Sequence, residues 1–373
     1  MERDKVKMNK KKIGIIGIVG IPASYGGFET LAENLVEELE SKYDFDVICS
    51  GHSYSQKNSK YLSANLSYIP LPANGISSIF FDIIGILWLL IKKNEVILML
   101  GVSGAIILPF VKIFSRSKII INIDGAEWRR EKWSTLARKY LRFSEALAVR
   151  FSDTIVADNQ AIVNYVDKRY GKKSTKIAYG GNTRIEQKKE INIPHVILKE
   201  QNYFLSICRI EPENNVKMIL NGFRSIHHEK LIFIGNWQAS DYGQQLYNEF
   251  KTAKNIELLE PIYDIRKIHN IRRESHSYIH GHSAGGTNPS LVEMMHYNSH
   301  IIAYDCVFNR FTLNNLGSYF SDENELRKKI MEKSQTSLDK IKDHRTEIMK
   351  LAKKEYTWSK IASQYSRLFG DGD

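Results

Sequence analysis

Cysteine is scarce in this chain: Cys49, Cys208 and Cys306 are the three among 373 residues. No C-x-x-C spacing and no histidine pattern surrounds them, which argues against a disulfide framework and against a zinc site. A D-x-D pair of carboxylates at the end of a predicted strand is also lacking, so we expect no bound metal. The composition fits a reducing cytoplasm best.

Long hydrophobic runs are lacking too. The most apolar stretch, 76–91, contains Asp82 and is shorter than the roughly 20 residues that a membrane-spanning helix needs. The charged start of the chain, 1–12, leads directly into a predicted strand and does not resemble a secretory signal. We therefore expect a protein that does not cross a membrane.

Two fingerprints of nicotinamide and epimerase chemistry are missing. Gly14, Gly17 and Gly20 fall inside or at the end of the first predicted strand and do not form G-x-G-x-x-G. A Tyr-x-x-x-Lys pair does not stand in a helix at the expected place. Both absences argue against a nicotinamide oxidoreductase and a nucleotide-sugar epimerase as the rival enzymes.

What is present is a globular composition of a length that suits two domains. Hydrophobic residues make up 43% and charged residues 25% of the chain, which is typical of a folded protein. The net charge is +11 and is uneven: residues 1–190 contain 29 Lys and Arg against 20 Asp and Glu, whereas the remainder contains 24 against 22. The first half is therefore the basic one.

Much of this charge lies in one predicted helical segment, 128–143, where aromatic residues alternate with arginine and lysine. Such a segment could meet nucleic acid or an anionic membrane surface. The alternative is a solvated helix whose aromatic residues belong to the core.

Strands and helices alternate along the chain, which predicts an α/β fold of two Rossmann-like, doubly wound domains that face a cleft. In the first domain, 1–188, we predict strands at 13–19, 46–49, 66–69, 96–100, 118–123 and 154–157, and helices at 30–41, 77–93, 105–114, 134–152 and 159–170. In the second, 189–356, we predict strands at 203–208, 231–234, 256–258, 277–279 and 300–303, and helices at 216–224, 243–252, 266–274 and 288–296. A polar linker at 185–200 separates them. A last helix at about 357–373 is expected to pack back on the first domain.

A glycine pair, Gly26 and Gly27, lies between the first predicted strand and the first predicted helix. Backbone amides at such a position can point at one spot and bind phosphate, so an anionic ligand is our first interpretation. The alternative is a turn that needs glycine only for its backbone geometry.

A second glycine pair, Gly285 and Gly286, precedes Thr287, Asn288 and Pro289. We expect Asn288 to cap a helix and Pro289 to occupy its first turn, which leaves the amides before them open to an anion.

Two charged residues complete this predicted site. Glu293, about one turn inside the helix, suits two ribose hydroxyls, since a carboxylate accepts from both. Arg209 directly follows a strand and can neutralise a leaving diphosphate. Together the residues predict a site for a nucleotide-diphosphate donor, whose diphosphate or sugar Gly26 and Gly27 would meet from the first domain.

Three motifs, 20–30 (GIPASYGGFET), 124–133 (DGAEWRREKW) and 285–293 (GGTNPSLVE), resemble the bacterial rhamnosyltransferase branch of glycosyltransferase family 4, which has the GT-B fold. The resemblance covers nearly the whole chain. It implies a retaining hexosyltransferase that moves a sugar, with dTDP-β-L-rhamnose the expected donor, in the synthesis of a capsule or rhamnan. UDP-glucose, UDP-GlcNAc and GDP-mannose are the alternative donors.

The resemblance also implies partners: a nucleotide sugar, an undecaprenyl-diphosphate-linked saccharide acceptor and an anionic membrane surface at the inner face of the cell membrane, with no nucleic acid and no cofactor. By position Glu293 resembles the ribose-binding glutamate of an E-x7-E motif, and Arg209 resembles the diphosphate-binding arginine. The chain departs from the family at two donor-site positions: the first glutamate is Gly285, and the usual lysine is Asn214.

For the acceptor side we expect Asp124, after a strand and before Gly125, to orient or deprotonate the acceptor hydroxyl. The alternative for Asp124 is a helix cap. Tyr25, Phe28, Glu127 and Trp128 are the expected acceptor contacts. The rival of a different class is a basic nucleic-acid-binding protein, which leaves both glycine loops unexplained.

Overall fold

A computed structural model describes residues 10–23, 26–123, 125, 127–129, 133–182, 203–335 and 338–370. The chain divides into two compact units, Met1–Ala178 with Trp358–Asp373, and Tyr179–Thr357. Each contains a largely parallel sheet with helices between its strands. The predicted linker at 185–200 and the predicted boundary after residue 188 lie outside the described residues.

The first unit is built on an eight-stranded sheet in the order β3-β4-β2-β1-β5-β6-β7-β8. All neighbours are parallel except β3 and β4. The strands are β1 (Lys11–Ile16), β2 (Tyr43–Ser50), β3 (Lys60–Tyr61), β4 (Ala64–Ile69), β5 (Val96–Leu100), β6 (Lys118–Ile123), β7 (Thr154–Ala157) and β8 (Thr175–Lys176). The central strands are almost continuously apolar because helices cover both faces of a doubly wound sheet.

The described residues of this unit form six α-helices: α1 (Gly27–Leu39), α2 (Ser77–Ile91), α3 (Leu108–Phe114), α4 (Thr135–Phe151), α5 (Gln160–Tyr170) and the last helix of the chain, Trp358–Phe369. Polar residues start two of them: Ser134 accepts from the Ala137 amide and Asn159 from the Ala161 amide. The predicted helix at 105–114 divides into a 3-10 turn, Ala105–Ile107, and α3.

The second unit has a six-stranded parallel sheet in the order β11-β10-β9-β12-β13-β14. Its strands are β9 (Tyr203–Ile207), β10 (Lys230–Ile234), β11 (Ile256–Leu259), β12 (Ser277–His280), β13 (His300–Tyr304) and β14 (Ser318–Phe320). Its helices are α6 (Val216–Arg224), α7 (Asp241–Phe250), α8 (Ile265–Glu274), α9 (Pro289–Met295), α10 (Val307–Thr312), α11 (Glu323–Gln335) and α12 (Leu338–Glu355), so that Trp358–Phe369 is α13. One core of aromatic and aliphatic side chains lies between this sheet and α6, α7 and α11.

The sequence patterns located most of these elements but missed β3, β8, β14 and α10 to α12. The strands among these have two or three residues, too few to show a period. In α11 and α12 charged residues dominate and dilute the apolar spacing that marks a helix.

Candidate functional site

The strand order of the second sheet reverses between β9 and β12, because the chain builds β10 and β11 on one side of β9 and then β12 to β14 on the other. At such a reversal the loops that leave the two strands diverge, and the carboxyl edge of the sheet holds a crevice. Arg209 follows β9, and the segment from Gly281 to Glu293 follows β12. The topology therefore brings the donor-binding residues predicted for the second domain to one edge of its sheet.

Asn214 joins the loops that follow these two strands. Its side-chain amide nitrogen donates to the carbonyl oxygen of Arg209 at 2.7 Å, and its side-chain oxygen lies 2.7 Å from Nδ1 of His282. The side chain is buried, so it holds the loops in place. Since the oxygen of Asn214 must accept, Nδ1 of His282 carries the proton.

Further hydrogen bonds join the same loops. The backbone amide and hydroxyl of Ser283 donate to the Glu213 carbonyl oxygen at 2.9 and 2.8 Å, and the Asn215 side chain donates to that of Gly281 at 2.8 Å. A Cβ on Gly281 would lie 2.1 Å from the carbonyl oxygen of Asn214, so only glycine allows this approach. These hydrogen bonds and the close backbone contact hold the two loops rigidly together next to Arg209.

The side chain of Arg209 extends away from these two loops. Its side chain is 41% exposed, and its guanidinium lies 3.6 Å from the Glu211 carboxylate, a loose and half-exposed ion pair. Such a pair contributes little to stability, so the guanidinium can turn to a stronger anion at low cost. Desolvation raises the pKa of the neighbouring, partly buried Cys208 thiol, which leaves it uncharged.

The helix after the second glycine pair begins as predicted. The Asn288 side chain accepts from the Ser290 amide at 3.0 Å, and Pro289 is the first residue of α9. Gly285 has a φ of 102°, a conformation that favours glycine, and Thr287 is buried. Gly286 and Thr287 follow this turn, directly before α9.

Glu293 forms an ion pair that the sequence did not reveal. The guanidinium of Arg272 in α8 donates to Oε2 of the Glu293 carboxylate. Arg272 is almost fully buried, whereas the Glu293 side chain is 26% exposed. No short-range pattern could have identified this partner, because 20 residues separate the two in the chain.

A close backbone contact fixes the position of α9. A Cβ on Gly181 would lie 2.5 Å from the carbonyl oxygen of Val292 and 2.8 Å from the amide nitrogen of Glu293. The amide of Gly181 donates to the carbonyl oxygen of Tyr356, which also lies 3.0 Å from Nε2 of His296. The turn of α9 that carries Glu293 is therefore in direct contact with the backbone of Gly181.

The first sheet has its own reversal, between β1 and β5. Gly17, after β1, lies where a Cβ would be 2.2 Å from the carbonyl oxygen of Leu100. Phe28 also reaches this edge, since its ring is 3.9 Å from the position of a Cβ on Gly101. The first glycine pair thus lies near the carboxyl edge where an α/β sheet binds ligands.

A carboxylate already occupies part of this loop. Oε1 of Glu29 accepts from the Val19 amide at 2.9 Å, and Oε2 lies 1.9 Å from where Gly26 would carry a Cβ. Burial raises the pKa of Glu29. An anion at Gly26 and Gly27 would therefore meet this carboxylate, which already accepts from one backbone amide of the loop. Donor contacts by the two glycines stay a prediction.

Two expected acceptor contacts are engaged in packing at the start of α4. The Trp133 indole donates to Oε1 of Glu127 at 3.1 Å. The Trp128 indole donates to the Tyr165 hydroxyl at 3.2 Å, and the guanidinium groups of Arg142 and Arg169 lie 5.6 and 5.3 Å from its ring centre. Trp128 therefore joins α4 and α5, and a role in acceptor binding stays a prediction.

Asp124 and Tyr25 lie outside the described residues, and so does Ser24 of the first loop. Among the described residues, no group of three His, Cys, Asp or Glu side chains could hold a metal ion.

Comparison with known protein families gives one match, which covers the first part of the chain. Residues 10–182 match the family described as "Domain of unknown function (DUF1972)". No curated protein matches the sequence.

Solved structures match nearly the whole chain. A sucrose-phosphate synthase from Thermosynechococcus elongatus is 11% identical, with a TM-score of 0.79 over 96% of this chain and 98% of that one. HepE from Anabaena in complex with UDP-glucose is 13% identical, with a TM-score of 0.71 over 98% and 100%. The catalytic domain of starch synthase IV from Arabidopsis thaliana, bound to ADP and acarbose, is 13% identical, with a TM-score of 0.71 over 96% and 98%. The chain has the GT-B fold of these glycosyltransferases.

Proposed function

We propose that this protein is a glycosyltransferase that transfers a sugar from a nucleotide-diphosphate donor, which the second unit binds. The observation that carries the proposal is the reversal of strand order between β9 and β12. It brings Arg209 and Glu293, a cation for a diphosphate and a carboxylate for a ribose, to one edge of the sheet. Asn214 holds their loops together, which supports the proposal of a site that is formed in advance of binding.

The similar structures support the same class of ligand. HepE is in complex with UDP-glucose, and starch synthase IV is bound to ADP and acarbose. A nucleotide with a diphosphate is thus a ligand of proteins that share this fold. At this level of identity the proteins share only the fold with this chain. The proposal of a ligand for this chain therefore depends on its own residues.

In the proposed reaction the bond between the anomeric carbon and the diphosphate breaks, and the acceptor oxygen bonds to that carbon. Negative charge develops on the leaving diphosphate, where Arg209 and the amides of Gly286 and Thr287 stabilise it. Gly26 and Gly27 are the proposed donor contacts of the first unit. Asn214 acts indirectly, because its side chain holds the backbone of Arg209 in place.

The acceptor hydroxyl must also lose its proton. We assign the orientation of this hydroxyl to Asp124. Its oxygen attacks the anomeric carbon from the face that the diphosphate leaves, so the sugar keeps its anomeric configuration, and the leaving phosphate takes up the proton. Tyr25, Phe28, Glu127 and Trp128 are the proposed acceptor contacts. The proposed reaction needs no metal, because Arg209 and backbone amides supply the positive charge.

The resemblance to the rhamnosyltransferase branch of family 4 makes dTDP-β-L-rhamnose the proposed donor. A lipid-diphosphate-linked saccharide is the proposed acceptor, in the synthesis of a surface polysaccharide, with the protein bound peripherally at the inner face of the membrane. UDP-glucose, UDP-GlcNAc and GDP-mannose remain the competing donors.

A titration with dTDP-rhamnose and the three competing donors tests the proposal on the purified protein. We expect one donor to raise the melting temperature and to bind measurably by calorimetry. Glu293→Gln should weaken this binding about tenfold or more, because hydrogen bonds to a charged group contribute about 1.5–3 kcal/mol. Glu257→Gln is the matched control, since Glu257 is also partly buried and also paired, with Lys230 at 3.2 Å.

Two results would contradict the proposal. One is that none of the four nucleotide sugars binds. The other is that Glu293→Gln and Arg209→Ala both transfer sugar at the full rate, which would remove the site from the edge between β9 and β12.

A further inference from the structure

Helix α2 is apolar on both of its faces. Phe81, Ile86 and Leu89 are buried against the sheet. The opposite stripe follows helical spacing and is between 45% and 77% exposed: Ile76, Phe80, Ile84, Leu87, Trp88 and Ile91. A helix that is apolar all round is normally buried on all sides. We therefore expect a binding partner to cover the outer stripe of α2.

The two following helices extend this stripe. Asp82 of α2 packs against Gly104, directly before the 3-10 turn that leads into α3, and α3 in turn contacts α4. Further apolar side chains that are more than half exposed lie on these helices: Phe110, Ile113 and Phe114 on α3, and Leu136 and Phe143 on α4. We call these residues and the α2 stripe the apolar face. Soluble proteins seldom expose an apolar surface of this extent without a binding role.

The exposed charged residues of α2, α3 and α4 are all positive. These helices are described throughout, and their only carboxylates, Asp82 and Glu145, are buried. Four cationic residues of α4 are exposed: Arg138, Lys139, Arg142 and Arg150. The three helices thus present aromatic and aliphatic side chains together with positive charge and no exposed negative charge.

Membrane crossing does not explain the apolar face, because no helix in the described part of the chain is long and apolar enough to cross a membrane. A second copy of the chain is a poor partner as well. In a symmetric dimer the same patch meets itself, so the cations of α4 would face one another.

We infer that the apolar face lies on an anionic lipid bilayer, with the side chains of α2 and α3 in the interface and the cations of α4 against the lipid headgroups. The inference extends the peripheral association proposed above and names the surface responsible. It is independent of sugar transfer, since Glu293→Gln should bind vesicles as well as the unaltered protein does.

Flotation with vesicles tests the inference on the full chain. We expect binding to equimolar phosphatidylglycerol and phosphatidylcholine, weak binding to phosphatidylcholine alone, and loss of binding as salt is added. Brominated phosphatidylcholine should quench the fluorescence of Trp88, which is 46% exposed on the apolar face. Trp88→Phe should remove most of this quenching.

Substitutions separate the two contributions. Arg138→Gln with Lys139→Gln should lower the partition coefficient roughly 25-fold, at about fivefold for each cation near the surface. Phe80→Asn should lower it about tenfold. The controls are in the second unit: Lys328→Gln with Lys354→Gln for charge, both well exposed, and Met331→Asn for an exposed apolar side chain.

Several outcomes would overturn the inference. Equal binding to both kinds of vesicle, or no binding to either, would remove the anionic membrane. A stable dimer that does not bind vesicles and that Phe80→Asn disrupts would assign the apolar face to contact with a second copy of the chain. A salt-sensitive gel shift of a nucleic acid, lost on Arg138→Gln and without vesicle binding, would assign the cations to nucleic acid.

Discussion

At the scale of single residues, Arg272 and Glu293 form the pair on which donor binding is expected to depend. Arg272 bonds to Oε2 of the Glu293 carboxylate, which leaves Oε1 for a ribose hydroxyl. Arg272 also lies 6.0 Å from the centre of the Tyr297 ring, which lies beside His269. Arg272 is thus a positioning residue for the proposed donor site.

Arg272→Met should weaken donor binding about tenfold, since the Glu293 carboxylate loses its orienting partner while the apolar volume is kept. Calorimetry measures the dissociation constant, and steady-state kinetics should show a larger change in KM than in kcat. Arg273→Met is the matched control, because Arg273 is 60% exposed and pairs with the adjacent Glu274. Tighter donor binding by Arg272→Met would show that Arg272 competes with the ribose instead.

At the scale of elements, α2 has a titratable group on its buried face. Burial raises the pKa of Asp82 to about 7, although the Gly104 amide donates to its carboxylate. The folded protein therefore keeps a proton that the unfolded chain releases near pH 4. Between about pH 4 and pH 7 the contribution of Asp82 to the free energy of unfolding falls as the pH rises, by up to about 4 kcal/mol.

Asp82→Asn should remove this dependence, because the amide oxygen still accepts from Gly104 and no charge is buried. We expect urea unfolding at pH 8 to require a higher urea concentration than for the unaltered protein, and the difference to shrink towards pH 4. Asp44→Asn, at an exposed position of β2, is the control. A variant that is less stable than the unaltered protein at pH 8 would show that the charged Asp82 has a compensating partner.

At the scale of the whole molecule, the chain returns to its first unit through α13 after completing the second. Helix α13 contacts α1. Hydrogen bonds also hold it there: Tyr43 Oη lies 2.9 Å from Oγ of Ser366, Lys118 donates to the carbonyl oxygen of Leu368, and Asn122 donates to the Tyr365 hydroxyl at 2.8 Å. The ring of Tyr43 also packs edge-on against Phe369.

Tyr365→Phe should lower the free energy of unfolding by about 1–3 kcal/mol, since the buried Asn122 amide loses its acceptor. Thermal unfolding followed by circular dichroism measures the change. Tyr263→Phe, at a position that is 72% exposed, should have no effect. Equal melting temperatures for both variants would show that the bond between Asn122 and Tyr365 adds nothing to the docking of α13.

By itself the sequence determined the alternation of strands and helices, the two sheets and the cap at Asn288, because these depend on residues close together in the chain. Only the tertiary structure decided the rest. It paired Glu293 with Arg272 and joined the loops through Asn214 and His282, contacts between residues that lie 21 and 68 positions apart in the chain. The backbone conformation of the first glycine loop, and not residue spacing, placed the Glu29 carboxylate there. It also decided which side of α2 is outward, since a helix that is apolar all round has no period that distinguishes its faces.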